Sequence, residues 1–117
     1  MRRHLVSSHF PYIPIHVQVQ GKIKNFDALI DTGFDGNVIM PRHELMNGEP
    51  PAGYLPCKLA DGSKIAAPFY EGIIKIGKLP SLTIIILAMG DEPLIGRGVT
   101  DRFKVIFDHG KKVIVEP

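Results

Sequence analysis

Apolar and polar side chains alternate with a period of two along much of this chain, and this alternation limits it to a fold made mainly of β-strands. The clearest run lies near the amino terminus, where the apolar members are Ile13, Ile15, Val17 and Val19. Because successive side chains of a strand point to opposite faces, the run predicts a strand with one buried face. The alternation stops at Gly21-Lys22, and a second strand is predicted from Ile23 to Ile30.

Two hairpins are predicted farther along the chain. The first alternates from Leu55 to Leu59, reaches the dipeptide Asp61-Gly62, a strong signal for a tight turn, and returns through residues 64–76. The second closes the chain across a turn at residues 108–111. Its facing pairs are predicted to be Val105 and Phe107 on one strand against Val113 and Val115 on the other.

Three further segments complete the predicted fold. The apolar run Leu82–Ala88 is far shorter than the roughly 20 residues needed to span a bilayer, and it is typical of a strand buried on both faces. Pro41–Leu45 and Arg97–Phe103 are predicted to form short helical turns. Many short strands with one or two such turns indicate an all-β fold, a small barrel or sandwich.

Length, charge and cysteine content exclude several classes of function. The 117 residues fit a single domain, 1–117, with an amino-terminal arm at 1–11 that lacks the apolar stretch of a secretory signal, and a closing hairpin at 104–117. The 14 basic and 12 acidic residues give a net charge of +2 without a basic block, which argues against a nucleic-acid partner. The single cysteine, Cys57, fits a reducing compartment, so we expect a cytoplasmic protein without a membrane partner. The 5 histidines lack metal-site spacing, so no metal or other cofactor is expected.

The segment Leu29-Ile30-Asp31-Thr32-Gly33 is the main candidate for a functional site. Its apolar residues end a predicted strand and would bring Asp31 to the rim of the barrel. Gly33 lets the backbone turn sharply there and leaves space beside the carboxylate. A carboxylate held in this way can act in acid–base catalysis, although an Asp-Thr-Gly turn can also be no more than a turn.

Two further elements follow this segment in the chain. The turn Ala60–Ser63 contains a glycine, and Pro93–Phe103 carries Leu94-Ile95-Gly96-Arg97 ahead of a predicted helical turn. Together with Asp31-Thr32-Gly33, these motifs resemble the retropepsin-like aspartic proteases, the family of the retroviral proteases. The sequence Asp-Thr-Gly-Phe is similar to a prokaryotic branch of that clan. The resemblance extends from about Tyr12 to Phe103, and it implies a small retropepsin-type β-barrel with a flap hairpin.

The resemblance implies that the chain is an aspartic endopeptidase acting on a peptide or protein substrate. Each subunit of a two-fold symmetric homodimer would give one Asp31 to a shared dyad that activates water. Thr32 would fix the two loops by a hydrogen bond across the dimer, and Gly33 would lie along the substrate backbone. No cofactor is implied.

The resemblance also implies roles outside this triplet. Substrate contacts are implied for Phe34 and for the flap tip, which consists of Asp61, Gly62 and Ser63. Structural support of the catalytic loop is implied for Gly96 and for a buried ion pair between Asp35 and Arg97.

Two features differ from the retroviral pattern. Phe34 stands where a small residue is usual, and its ring cannot donate a hydrogen bond to the carboxylates. The chain also continues into its own hairpin where retroviral enzymes end in a single strand. These differences leave one close alternative, the same fold kept as a non-catalytic dimerisation or peptide-binding module. A small nucleic-acid-binding barrel is a second alternative, for which a basic face with exposed aromatic residues would be expected.

Overall fold

The structure is a computed structural model in which residues 4–45 and 48–117 are described. Within these residues the strands are β1 (Leu5–Ser7), β2 (Tyr12–Val19), β3 (Lys22–Ile30), β4 (Val38–Met40), β5 (Gly53–Lys58), β6 (Lys64–Lys75), β7 (Leu82–Ala88), β8 (Leu94–Ile95), β9 (Lys104–Asp108) and β10 (Lys112–Glu116). A 3-10 turn spans Arg42–Leu45, and a short helix, α1, spans Arg97–Thr100. The predicted all-β class is confirmed.

Six of the strands form a closed barrel. They are hydrogen-bonded in the order β2-β3-β8-β4-β7-β6, and a pairing between β6 and β2 closes the ring. β5 lies outside the ring as the outer strand of a hairpin with β6. The predicted alternation of β2 is confirmed, because its apolar side chains Ile13, Ile15, Val17 and Val19 are buried and the residues between them are exposed.

The two ends of the chain form a second sheet in the order β1-β10-β9. β9 and β10 pair in the register that the alternation predicts, with Val105 opposite Val115 and Phe107 opposite Val113. Leu5 of β1 also lies opposite Val115 and packs against the barrel core. The described part of the predicted amino-terminal arm, 1–11, therefore contains a strand of this sheet, and residues 1–3 of that prediction lie outside the described residues.

Apolar side chains form two clusters, one inside the barrel and one on its outer surface. On β4, Val38 and Met40 belong to the inner cluster and Ile39 to the outer one, as expected from alternation along a strand. The buried members of this outer cluster are Ile39, Ala67 and Leu87, and its partly buried members are Phe34, Leu55, Cys57, Phe69, Met89 and Leu94. Because Leu55 and Cys57 lie on β5, the outer cluster joins the β5–β6 hairpin to the barrel wall.

The strand β7 is less buried than its sequence predicts. Burial on both faces is found only in Ile86–Ala88, whereas Thr83 and Ile85 are exposed. The difference arises because the outer cluster covers the outer face of β7 only at Leu87, so the outward-facing residues nearer the start of the strand stay exposed.

Both predicted helical turns are present, and the second is shorter than predicted. The 3-10 turn at Arg42–Leu45 follows Pro41, as expected. The helix α1 ends at Thr100 rather than at Phe103. Beyond Thr100 the chain continues in tight turns, because the next N–H groups bond to carbonyls three residues back, Arg102 to Val99 and Phe103 to Thr100.

Candidate active site

Asp31 directly follows the end of β3, where that strand runs beside β8. The two strands are parallel, with Leu29 opposite Leu94 and Ile30 opposite Ile95. The Asp31 N–H then donates to the Ile95 carbonyl at 3.0 Å, which continues the pairing by one residue. This bond fixes the backbone from which the half-buried Asp31 side chain projects.

The Asp31 carboxyl group is held by the turn that it starts. The Gly33 N–H donates to Asp31 Oδ1 at 2.9 Å, the geometry of an Asx-turn, and the Phe34 N–H donates to the Asp31 carbonyl at 3.2 Å. A Cβ atom at Gly33 would lie 3.3 Å from Asp31 Oδ1, so glycine leaves the carboxyl group room. Among the described residues, Oδ2 makes no hydrogen bond within the chain, so this oxygen is free to interact with water or substrate.

Residues 31–37, which we call the active loop, are bound to the start of α1 by backbone hydrogen bonds. The N–H groups of three consecutive residues donate to loop carbonyls: Gly96 to Asn37 at 2.9 Å, Arg97 to Phe34 at 2.8 Å, and Gly98 to Gly36 at 2.9 Å. These three bonds are made by backbone groups, so they do not depend on which side chains the bonded residues carry.

Gly96 permits this close approach because it has no side chain. A Cβ atom at position 96 would lie 2.5 Å from the Gly36 carbonyl oxygen and 2.6 Å from the Phe34 carbonyl oxygen. It would also lie 2.4 Å from Cδ2 of the Phe34 ring. Such distances are below van der Waals contact, so any larger residue would displace the active loop.

The Phe34 ring packs against two glycines and belongs to the outer cluster. A Cβ atom at Gly36 would lie 2.4 Å from Cζ of the ring, and a Cβ atom at Gly96 would lie 2.4 Å from Cδ2. The ring is half-buried beside Leu55 and Cys57 of β5. Phe34 therefore connects the active loop to the strand β5 of the β5–β6 hairpin.

A cavity of about 510 Å³ lies between the active loop and the β5–β6 hairpin. Its lining consists of Gly33, Phe34, Asp35, Gly36, Leu55, Pro56, Cys57, Lys58 and Leu87. The hairpin thus lies on the same side of the barrel as the active loop. The floor of the cavity is apolar, and Asp35 and Lys58 place opposite charges in its lining.

The tip of the hairpin is a three-residue loop, Ala60, Asp61 and Gly62, rather than the two-residue turn typical of an Asp-Gly dipeptide. The Gly62 N–H donates to the Leu59 carbonyl at 2.9 Å, and the Leu59 N–H donates to the Ser63 carbonyl at 2.8 Å. Gly62 has a φ of +90° and forms the bulge that follows the turn in a three-residue hairpin loop. All three loop residues are exposed.

Ser63 stabilises this tip through Asp61. Its hydroxyl group donates to Asp61 Oδ1 at 2.6 Å, and its N–H donates to the same oxygen at 2.8 Å. The hydroxyl bond, supported by the backbone bond, lowers the pKa of the Asp61 carboxyl group. Both donors favour the ionised carboxylate.

The ion pair expected between Asp35 and Arg97 is not formed. Both side chains are exposed, and among the described residues no salt bridge joins them. The physical reason is that both charges are exposed to water, where pairing gains little, and the bond from the Arg97 N–H to the Phe34 carbonyl holds the loop without the ion pair. Thr32 is also exposed, and its hydroxyl makes no hydrogen bond within the described chain.

Asn37 is a residue of the active loop that the sequence did not single out. Its side-chain Oδ1 accepts a hydrogen bond from the Ile85 N–H of β7 at 2.8 Å, while its backbone carbonyl accepts from Gly96. The sequence signal for this role is an asparagine directly before the first residue of a strand, where its side-chain amide can take the place of a backbone carbonyl as a hydrogen-bond acceptor.

The described residues contain no group of three or more His, Cys, Asp or Glu side chains arranged to hold a metal ion. They also contain no helix that is long and apolar enough to cross a membrane.

Solved structures share this architecture. The crystal structure of a retropepsin-like aspartic protease from Rickettsia conorii aligns with a TM-score of 0.63 and 16% sequence identity, over 98% of this chain and 91% of that one. The solution structure of the simian foamy virus (mac) protease aligns with a TM-score of 0.52 and 19% identity, over 75% of this chain and 91% of that one. The chain has a retropepsin-like fold. No protein-family model and no curated protein matches the sequence.

The retropepsin-like fold brings most of the predicted site residues into one region. The active loop carries Asp31, Thr32, Gly33, Phe34 and Asp35, and its backbone is bound to Gly96 and Arg97. The remaining predicted residues, Asp61, Gly62 and Ser63, lie at the exposed tip of the hairpin whose strand β5 lines the cavity.

Proposed function

We propose that this chain is an aspartic endopeptidase that acts as a two-fold symmetric homodimer, with Asp31 of each subunit in a shared dyad. The observation that carries the proposal is the active loop. It holds one Asp31 carboxyl oxygen in a turn, leaves the other without a hydrogen bond to any described residue, and is fixed to α1 by three backbone hydrogen bonds.

A second Asp31 is required by the chemistry. One carboxyl group of ordinary acidity cannot serve as base and acid in the same step. Two that are held close together cannot both ionise comfortably, so the pair shares one proton, as is established for aspartic proteases in general. A two-fold axis beside the active loop would supply the partner from a second copy of the chain.

The dyad would cleave a peptide bond by activating water. The ionised Asp31 would take a proton from a water molecule that attacks the scissile carbonyl carbon. The protonated Asp31 of the other subunit would donate to the carbonyl oxygen as negative charge develops there. As the C–N bond breaks, the Asp31 that took the water proton would donate it to the leaving amine, and the other Asp31 would take a proton back from a hydroxyl of the tetrahedral intermediate, which restores the singly protonated dyad. The residues assigned to this chemistry need no cofactor.

Thr32 would join the two active loops in the dimer. Its hydroxyl is exposed beside Asp31 and makes no hydrogen bond within the described chain, so it is available to a partner across the axis. A bond between the two loops would fix the separation of the two carboxyl groups, on which sharing of the proton depends.

The cavity would hold part of the substrate. Gly33 and Gly36 offer backbone for an extended peptide, while Phe34, Leu55 and Leu87 offer apolar contacts. We therefore propose peptides with apolar side chains near the scissile bond as substrates. The hairpin tip, with Asp61, Gly62 and Ser63, would close over the bound peptide and exclude water.

Cleavage of a peptide library by the purified protein tests this function. We expect cleavage that pepstatin blocks and that has a bell-shaped dependence on pH, because one carboxyl group must be ionised and one protonated. Asp31→Asn keeps the shape of the side chain and removes the shared proton, so it should lower kcat at least about a thousandfold. Asp101→Asn is the matched control, since Asp101 is an exposed carboxylate at the end of α1. An Asp31→Asn protein with wild-type activity, or an active protein that is strictly monomeric by light scattering, would refute the proposal.

A peptide-binding module without activity is the second candidate, and Phe34 is the observation that favours it. Its ring cannot donate to a carboxylate, yet it enlarges the apolar surface of the cavity. In that case the wild type and Asp31→Asn would bind peptides with equal affinity, and neither would cleave them.

A further inference from the structure

Asn37 links the active loop to two separate parts of the barrel. Its backbone carbonyl accepts from the Gly96 N–H at 2.9 Å, next to α1. Its side-chain Oδ1 accepts from the Ile85 N–H at 2.8 Å, in β7. Asn37 therefore binds the end of the active loop both to the start of α1 and to β7, and the bond to β7 depends on the identity of the Asn37 side chain.

The side-chain bond replaces a backbone bond at the point where β4 begins. The parallel pairing of β4 with β7 starts with Val38 opposite Ile86, and Asn37 and Ile85 each come one residue earlier. The Asn37 carbonyl already accepts from Gly96, so the amide oxygen of the side chain serves Ile85 instead. Only a short side chain with an acceptor at this distance from the backbone can do so, which means Asn or Asp.

Gly98 provides the space for this side chain. A Cβ atom at position 98 would lie 2.4 Å from Asn37 Nδ2 and 2.7 Å from the Gly36 carbonyl oxygen. The half-buried amide of Asn37 therefore lies between α1 and β7, with its oxygen directed at Ile85. The bond to Ile85 holds the side chain in this orientation.

We propose that Asn37 is a positioning residue for Asp31, which lies at the other end of the same loop. The loop is short, and its two ends are bound to neighbouring residues, Asp31 to Ile95 and Asn37 to Gly96. The bond between Asn37 and Ile85 also binds the loop to β7, and this second attachment prevents the loop from shifting along α1. This role rests on the proposed protease function for its effect on catalysis, but not for its effect on the loop.

Three variants test the proposal by kinetics. Asn37→Leu keeps the branched shape and removes the acceptor, so kcat should fall about tenfold or more while KM stays within about twofold, because small misplacements of catalytic groups impair the chemical step. Asn37→Asp keeps an acceptor oxygen for Ile85 and should retain kcat within about threefold. Asn25→Leu is the control, since Asn25 is an exposed residue of β3 whose side chain bonds to the exposed side chain of His16, away from the active loop. Equal losses in Asn37→Leu and Asn37→Asp, or wild-type kcat in Asn37→Leu, would overturn the proposal.

Amide hydrogen exchange measured by NMR gives a second readout that needs no activity. In Asn37→Leu, exchange should become faster at the Ile85 N–H and also at the Asp31 N–H, whereas Asn37→Asp should keep both protected. Faster exchange at Ile85 alone would show a local bond without a positioning role, which overturns the proposal. If Asn37→Leu does not fold, Asn37→Ala takes its place with the same expectations. If the wild type cleaves no peptide, the proposed function fails, and exchange at Asp31 still decides this inference.

Discussion

Replacing Gly96 with alanine is the most direct test of how the active loop is held. Gly96 has φ −103° and ψ −178°, an extended conformation that any residue can adopt, so the cost of the added methyl group comes from its contacts. The new Cβ atom would lie within 2.6 Å of two loop carbonyl oxygens and 2.4 Å from the Phe34 ring. Overpacking of this kind costs about 1–3 kcal/mol. Moving the loop away would also weaken the bonds from the Gly96 and Arg97 N–H groups, at about 1 kcal/mol each.

We therefore expect Gly96→Ala to lower the free energy of unfolding by about 3–5 kcal/mol, a large part of the about 5–15 kcal/mol typical of a domain. Urea unfolding followed by circular dichroism measures this difference. Gly110→Ala is the control, because Gly110 has a φ of +68° and nothing within 4 Å of an added Cβ atom, so only backbone strain of about 1–2 kcal/mol is expected. If Gly96→Ala were no less stable than Gly110→Ala, the close approach of loop and helix would not hold the site.

Three further predictions concern residues around the cavity. Phe34→Ser should destabilise the protein by about 2–3 kcal/mol in urea unfolding, because it removes a ring from the outer cluster, and unchanged stability would contradict that packing. Ser63→Ala should raise the Asp61 pKa toward its ordinary value in an NMR titration, and an unchanged titration would disprove the contact. Because the pKa of Asp61 is lowered in the folded protein, the stabilisation that Ser63 provides is fully present above the ordinary pKa and is lost as the pH falls through the lowered pKa. Thr32→Val should shift the proposed homodimer toward monomer in light scattering over a dilution series, and an unchanged dissociation constant would exclude a bond across the axis.

The strands could be predicted because burial on one face leaves a direct record in the sequence. β2 and the closing hairpin have the alternation and the register that the sequence indicates. β1 was not recognised as a strand, because three residues are too few to show a period and its partner, β10, lies at the other end of the chain. β7 was predicted to be more buried than it is, because apolar residues such as Ile85 tolerate exposure on an outer face.

The candidate site was predictable at Asp31 and much less so around it. The Asp-Thr-Gly motif after an apolar strand is a local pattern, and so is the glycine in the hairpin turn. The bonds from the start of α1 to the active loop are made by backbone groups, so no side-chain pattern announces them. The role of Asn37 depends on Ile85, which is far away in sequence, and on the space left by Gly98. The predicted buried ion pair between Asp35 and Arg97 is not formed in the described chain, because both side chains are exposed, and opposite charges in a sequence do not show whether their side chains will be buried together.

The way in which the active loop is held also explains how the chain accommodates Phe34. The active loop needs an N–H group at position 97. It also needs its backbone to come close to positions 96 and 98, which is possible because both are glycine. None of these requirements involves the side chain at position 34, which is free to be large as long as Gly36 and Gly96 leave it room. The ring lines the cavity beside the β5–β6 hairpin and packs against the outer cluster, which a smaller residue would cover less. Phe34 thus shapes the wall of the cavity, whereas the bonds that tie the active loop to α1 are made by backbone groups.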